Sequence, residues 1–233
     1  MHPMELAIVL IPLVIATMIA LIVFGARAAA RRRNELAAWA ASRGLDFQPR
    51  KDPSFRSRYP NFSCLDWGSQ DRYALNIMTG QMHGRRCTAF DYHYETESRD
   101  SKGNRQATSH YFSAVILESD LFLKPLFILP ERLLDKVSEF FGYDDIDFES
   151  AEFSRKFYVK APDKRWAFDV IHQRTMQFLL DQPRFSIEFD IRHVIAYRSS
   201  TFKPADFEAA AATLAGILDG FPEYLRRQLK EGV

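Results

Sequence analysis

The chain has 233 residues, with 31 Lys and Arg against 30 Asp and Glu and a net charge of +1, so it lacks the basic surplus with which nucleic-acid binders contact phosphates. Its 47% hydrophobic and 14% aromatic content, including 20 Phe, is too apolar for a disordered chain and promises a core of large rings. The two cysteines, Cys64 and Cys87, stand in no CxxC spacing; they indicate neither a disulfide framework nor a zinc set, and a reducing compartment fits them.

Residues 6–24, LAIVLIPLVIATMIALIVF, form a run of 19 residues without a charge. As a helix the run reaches roughly 28 Å, close to the ~30 Å hydrocarbon layer of a bilayer. A secretion signal carries its positive charge before the apolar run. Here the charge follows, at Arg27, Arg31, Arg32 and Arg33, so the segment reads as an uncleaved anchor. The positive-inside rule then places the arginines and everything after them in the cytoplasm, with the amino terminus outside. The same four membrane-flanking arginines are suited to anionic lipid heads, a second role compatible with the first.

The sequence divides into an anchor with its basic flank over 1–30, a juxtamembrane helix over 31–44, and a domain over 45–233. Two sub-lobes, 45–142 and 143–233, are left open for that domain. Ala-rich sequence with Leu36, Trp39, Ala40 and Arg43 at helical spacing, stopped by Gly44, predicts the juxtamembrane helix. Residues 46–70 carry four turn signals and predict mostly irregular chain wrapped around the core. Three alternating runs follow, over 73–78, 89–94 and 111–117, and predict an antiparallel meander. Its second connection, TESRDSKGNRQA, has no apolar anchor and reads as a mobile loop. LFIL before Pro130 predicts a strand, and Pro130 itself a helix start, with Leu133, Leu134, Val137, Phe140 and Phe141 as its stripe. Residues 157–159 predict a strand, 163–182 two short helices or a kink near 172–175, 185–189 and 194–197 a hairpin, and 202–229 a closing helix. The fold class is α+β: a transmembrane helix, then a mostly antiparallel sheet with packed helices.

The pieces RxELAxxAxxRG over 33–44, GxxxGRxxxxFDYxY over 80–94, IDFESxEFxRxFxV over 146–159 and DxxxAxxxxH over 163–172 resemble a family of membrane-anchored bacterial proteins grouped as a domain of unknown function. The resemblance implies a shared architecture and the company of other envelope proteins. It implies no catalytic residue.

On the meander, Asp91, His93 and Glu95 alternate onto one strand face, and symmetric closure of the following loop sets His93 opposite His110. Two imidazoles and two carboxylates are suited to a divalent metal or acid–base chemistry. A solvated outer sheet face explains the same alternation. The acidic stretch DDIDFESAEF lacks the glycine and twelfth-position glutamate of a calcium loop, so Asp147 and Glu149 read as turn and capping groups. Nor do the ten glycines form a P-loop, a GxGxxG or a GxSxG. No cofactor is implied. The sequence therefore favours a membrane-tethered cytoplasmic binding or scaffold module, with the bilayer as partner through 6–24, a protein partner unspecified and nucleic acid excluded. A membrane-associated enzyme with an unrecognised site is the alternative.

Overall fold

The structure, a computed structural model, describes residues 3–99, 103–130 and 146–230, with side chains from residue 12 onward. Helix α1 (Pro3–Ser42) runs unbroken for 40 residues. Its first part is apolar and uncovered, with Leu13, Ile19, Leu21 and Phe24 between 56% and 74% exposed. Near the N-terminus this gives one helix long and apolar enough to cross a membrane. The last turns differ: Leu36 and Ala40 are buried, one helical turn apart on a face that meets the sheet. Gly44, at φ +67, ends the helix in a Schellman motif, its N–H bonding the Ala41 carbonyl (3.2 Å) and the Leu45 N–H bonding that of Ala40 (2.9 Å).

Strands β1 (Asp46–Gln48), β2 (Gln70–Met82), β3 (Arg85–Arg99), β4 (Arg105–Glu118), β5 (Leu126–Pro130), β6 (Phe157–Lys160), β7 (Ser186–Phe189) and β8 (His193–Arg198) form one antiparallel sheet ordered β1-β2-β3-β4-β8-β7-β5-β6. The β2–β3 hairpin closes through His83 and Gly84, both at positive φ (50 and 72), the backbone of a tight type I′ turn. Helices α2 (Phe55–Arg58), α3 (Ala151–Ser154), α4 (Lys164–Val170), α5 (Gln173–Asp181), α6 (Pro204–Asp219) and α7 (Glu223–Lys230), with a 3₁₀ turn at Ser63–Asp66, complete the described elements.

Both sheet faces are covered. Cys87 and Ala89 of β3, Val115 and Leu117 of β4 and Val194 and Ala196 of β8 pack with the helices, including Leu36 and Ala40 of α1 and Phe207, Ala211, Leu214 and Leu218 of α6. The opposite face, through Phe90, Tyr92, Phe112, Ile116 and Tyr197, packs with Phe55, Phe62, Cys64, Leu65 and Trp67. Chain expected to wrap the core at 46–70 thus forms half of one: its turns and two short helical segments, Phe55–Arg58 and Ser63–Asp66, bring Phe55, Phe62, Leu65 and Trp67 onto this sheet face.

Four further expectations change. The 96–107 connection is mostly ladder, since Thr96, Glu97, Ser98 and Arg99 pair with Thr108, Ala107, Gln106 and Arg105; backbone pairing replaces the missing apolar anchor. Sub-lobes divided at 142 do not fit, because β4 pairs with β8 and β5 with β6 and β7 across that point. The closing helix is two helices, α6 and α7, broken at Gly220, Phe221 and Pro222. The phase shift near His172 is a true break between α4 and α5, with His172 as N-cap of α5. Pro130 ends β5 opposite Phe157, and the helix expected after it lies outside the described residues. Near the acidic stretch the capping group of α3 is Ser150, which accepts the Phe153 N–H (3.3 Å), in place of Asp147 or Glu149.

Candidate functional site

Ala29, Arg32 and Arg33 fall on one side of α1 because residues three and four apart share a helix face. Side chains of a helix lean toward its N-terminus, which here is the direction of the apolar segment. Arg32 meets Asp91 of β3 side-on, with Nε donating to Oδ2 (2.8 Å) and Nη2 to Oδ1 (2.6 Å). Asn76 Nδ2 donates to Oδ2 (2.9 Å) and Ser113 Oγ to Oδ1 (2.5 Å), so the Asp91 carboxylate has four donors. Arg32 also donates from Nη1 to the Phe202 carbonyl (2.9 Å), while the Phe202 N–H donates to Ser113 Oγ (2.9 Å). Asp91 has a side chain 3% exposed and Arg32 one 26% exposed. The network therefore joins α1, β2, β3, β4 and the segment leading into α6. Asn76 reaches it from a bulge in β2, where φ is +50.

Of the four flanking arginines, Arg32 is thus committed to the domain. Arg27, Arg31 and Arg33 are exposed, and none has a recorded ion pair among the described residues. A cavity of about 580 Å³ opens beside the network, lined by Ala29, Arg32, Arg33, Asp91, Tyr111 and Thr201 together with Pro49, Leu75, Asn76 and Ser200.

The expected cluster is reorganised. His93 pairs with Tyr111, and His110 with Tyr94, so the two histidines project from opposite faces. His110 stacks on Tyr94 (4.9 Å between ring centres) and its Nε2 lies 2.9 Å from Thr96 Oγ1. Asp91 and His93, expected on a solvated face, are each 2% exposed, because α1 lies over that face and aromatic rings enclose the histidine. Its ring sits 4.6 Å from both Tyr73 and Tyr111, and its Nδ1 is 2.8 Å from the Asp71 carbonyl. A different trio forms instead: one ligand atom each from Asp71, His93 and Glu95 lies within 4.8 Å of the others, a spacing with room for a divalent cation. The Tyr111 hydroxyl is pushed up to about 12, chiefly by burial and then by its bond to Tyr73, so it stays protonated at neutral pH.

Glu188 was not singled out in the sequence. Fully buried in the second core, it accepts from Ser63 N–H (2.7 Å), Ser63 Oγ (2.6 Å) and Tyr197 OH (2.6 Å). Burial pushes its carboxyl above the usual range, against those bonds. Its place between Ile187 and Phe189 reads as an outward strand position, yet β7 is buried on both faces. A cavity of about 670 Å³ between α5 and α6 contains His172, whose Nε2 lies 3.1 Å from the Gly220 carbonyl and 3.3 Å from Thr175 Oγ1; no carboxylate is paired with that imidazole among the described residues. Cys64 and Cys87 are buried thiols, and burial pushes both upward, Cys87 to about 12. Neither is suited to act as a nucleophile.

Neither a protein-family model nor a curated protein matches the chain. Among solved structures it is similar to the crystal structure of the mycobacterial trehalose monomycolate transport factor A, TtfA, at 12% identity and a TM-score of 0.55, over 82% of this chain and 96% of that one. That likeness is one of fold.

Proposed function

We propose that the chain is a single-pass, membrane-tethered module, with its amino terminus outside and its α+β domain in the cytoplasm, that binds or scaffolds a partner at the inner face of the bilayer. The observation carrying this is that one helix is both the apolar segment and, through Arg32, a built-in part of the sheet domain. Such a mount fixes a surface at a set height below the membrane, which suits a module that works by position. The likeness to a protein named as a transport factor supports a narrower form, in which the domain assists transport across or along that membrane. Full-length protein should stay with membranes through carbonate extraction, and a reporter fused after Val233 should be active only in the cytoplasm. Changing Arg27, Arg31 and Arg33 to Glu while sparing Arg32 should give a mixed topology. An extracytoplasmic reporter in the parent, or a carbonate-soluble chain, refutes the reading.

The trio of Asp71, His93 and Glu95 favours a second reading, a membrane-associated enzyme using a divalent metal. Elemental analysis of purified protein distinguishes the two: the scaffold reading expects no stoichiometric metal.

A further inference from the structure

We propose that the cavity between α1 and the sheet holds the phosphodiester head of an individual anionic phospholipid against Arg33. The proposal rests on the membrane-tethered reading and assigns a ligand to its membrane-facing end.

Position is the first argument. Ala29 lies five residues beyond Phe24, the end of the apolar run, which is about 7.5 Å along a helix. The polar layer on each side of a bilayer is roughly 5–7.5 Å deep, so the Ala29 wall of the cavity meets the headgroups. Arg33 begins one turn lower. Its long side chain leans back toward the helix N-terminus and up to that level.

Charge is the second. Asp91 is the one carboxylate among the described residues lining the cavity, and Arg32 opposes it within a closed set of hydrogen bonds. Arg33 is left as the uncompensated charge, exposed and with no recorded hydrogen bond or ion pair among the described residues. A guanidinium matches a phosphate by paired N–H donors.

The third argument is the remaining lining. Ser200 and Thr201 are exposed and line the cavity with Arg33, so two hydroxyls are there as further donors to phosphate oxygens. Leu75, Pro49 and Ala29 supply the apolar side of the cavity, against which a glycerol backbone and the start of an acyl chain can lie. A soluble phosphate ester would use the donors and leave this wall uncovered. A zwitterionic lipid would bring a cation toward Arg33.

The test uses the full chain in a neutral detergent micelle, where no charged surface exists and only individually held lipid is retained. Native mass spectrometry with added phosphatidylglycerol should show one lipid per chain, retained at least tenfold more tightly than phosphatidylcholine. Arg33→Ala should weaken that retention at least tenfold, and Arg31→Ala, on the same flank but outside the cavity, by less than twofold. Thr201→Glu, which places a negative charge at the rim, should abolish it. Glycerol 3-phosphate should fail to compete at concentrations that saturate the lipid. Equal losses for Arg31→Ala and Arg33→Ala, equal retention of the two lipids, or competition by glycerol 3-phosphate at lipid-like concentrations would each overturn the proposal. Carbonate extraction of the same proteins separates the two readings: a chain that stays in the membrane yet retains no lipid refutes this site alone, and a chain that leaves the membrane refutes the tether.

Discussion

Replacing Arg32 with Met keeps the length and apolar stem of the side chain while removing two of the four donors to a carboxylate that is 3% exposed. Breaking a buried ion pair from one side costs about 3–5 kcal/mol, because the partner is left charged and underbonded. Arg32 is 26% exposed, so water can follow the lost guanidinium, and the low end, about 3 kcal/mol, is expected. For a domain of some 200 residues, each kcal/mol lowers the melting temperature by roughly 2–4 °C, giving a loss of about 6–12 °C. Asp91→Asn should be less damaging, since the stranded arginine can turn to solvent. In the double variant the two losses should fall short of their sum by about 2 kcal/mol, within the range for residues in one network. Urea unfolding followed by Trp fluorescence gives all four corners of the cycle. Additive losses, or an Arg32→Met cost below about 1 kcal/mol, would mean that the network does not hold the helix to the sheet.

Truncation probes the same contact: a fragment beginning at Ala28 should fold, whereas one beginning at Asn34 loses Arg32 and should unfold at about 3 kcal/mol less, as compared by urea midpoints. Glu188 has a folded-state pKa above its unfolded value, so the folded protein holds the extra proton and stability should fall as pH rises from the ordinary glutamate value through the raised one. Glu188→Gln should flatten that slope in melting curves against pH, and an unchanged slope would remove Glu188 as its source. A Cβ on Gly68 would stand 2.5 Å from the Glu95 carbonyl oxygen at a backbone φ of +73, so Gly68→Ala should cost more than 2 kcal/mol; a neutral result would show that the loop shifts freely. His93→Ala removes a ring buried between two tyrosines and should lower the melting temperature by several degrees more than His110→Ala, which the opposite ranking would contradict.

Long apolar periodicities carried the fold in the sequence. Alternation exposed the meander and the β7–β8 hairpin, and the phase shift at His172 marked a real break. Alternation misled where both sheet faces are covered, because a polar residue between two apolar ones then lies inside: Asp91, His93 and Glu188 all read as outward and are buried. Register was the other loss. Assuming a symmetric loop set His93 against His110, and a shift of one residue in pairing moved them to opposite faces. Arg32 was hidden by its neighbours, since a run of three arginines beside an apolar segment has a sufficient explanation in topology. The available signal was spacing: Arg32 stands four residues before Leu36 and eight before Ala40, on the face that docks.

Because α1 passes without interruption from its exposed apolar half to the Arg32 clamp, the two halves share one rotational phase. Each residue advances an α-helix by about 100° and 1.5 Å. A single residue deleted between Gly25 and Arg31 would leave the domain intact and the apolar length unchanged, yet turn the side of α1 facing any neighbouring membrane helix by more than a quarter of a revolution relative to the sheet. Seven inserted residues would return that side to within about 20° of its place while moving the domain roughly 10 Å farther from the bilayer. Activity that survives the seven-residue insertion and fails with the single deletion would identify a partner gripped at both levels in one angular alignment; the reverse pattern would identify one for which height alone matters.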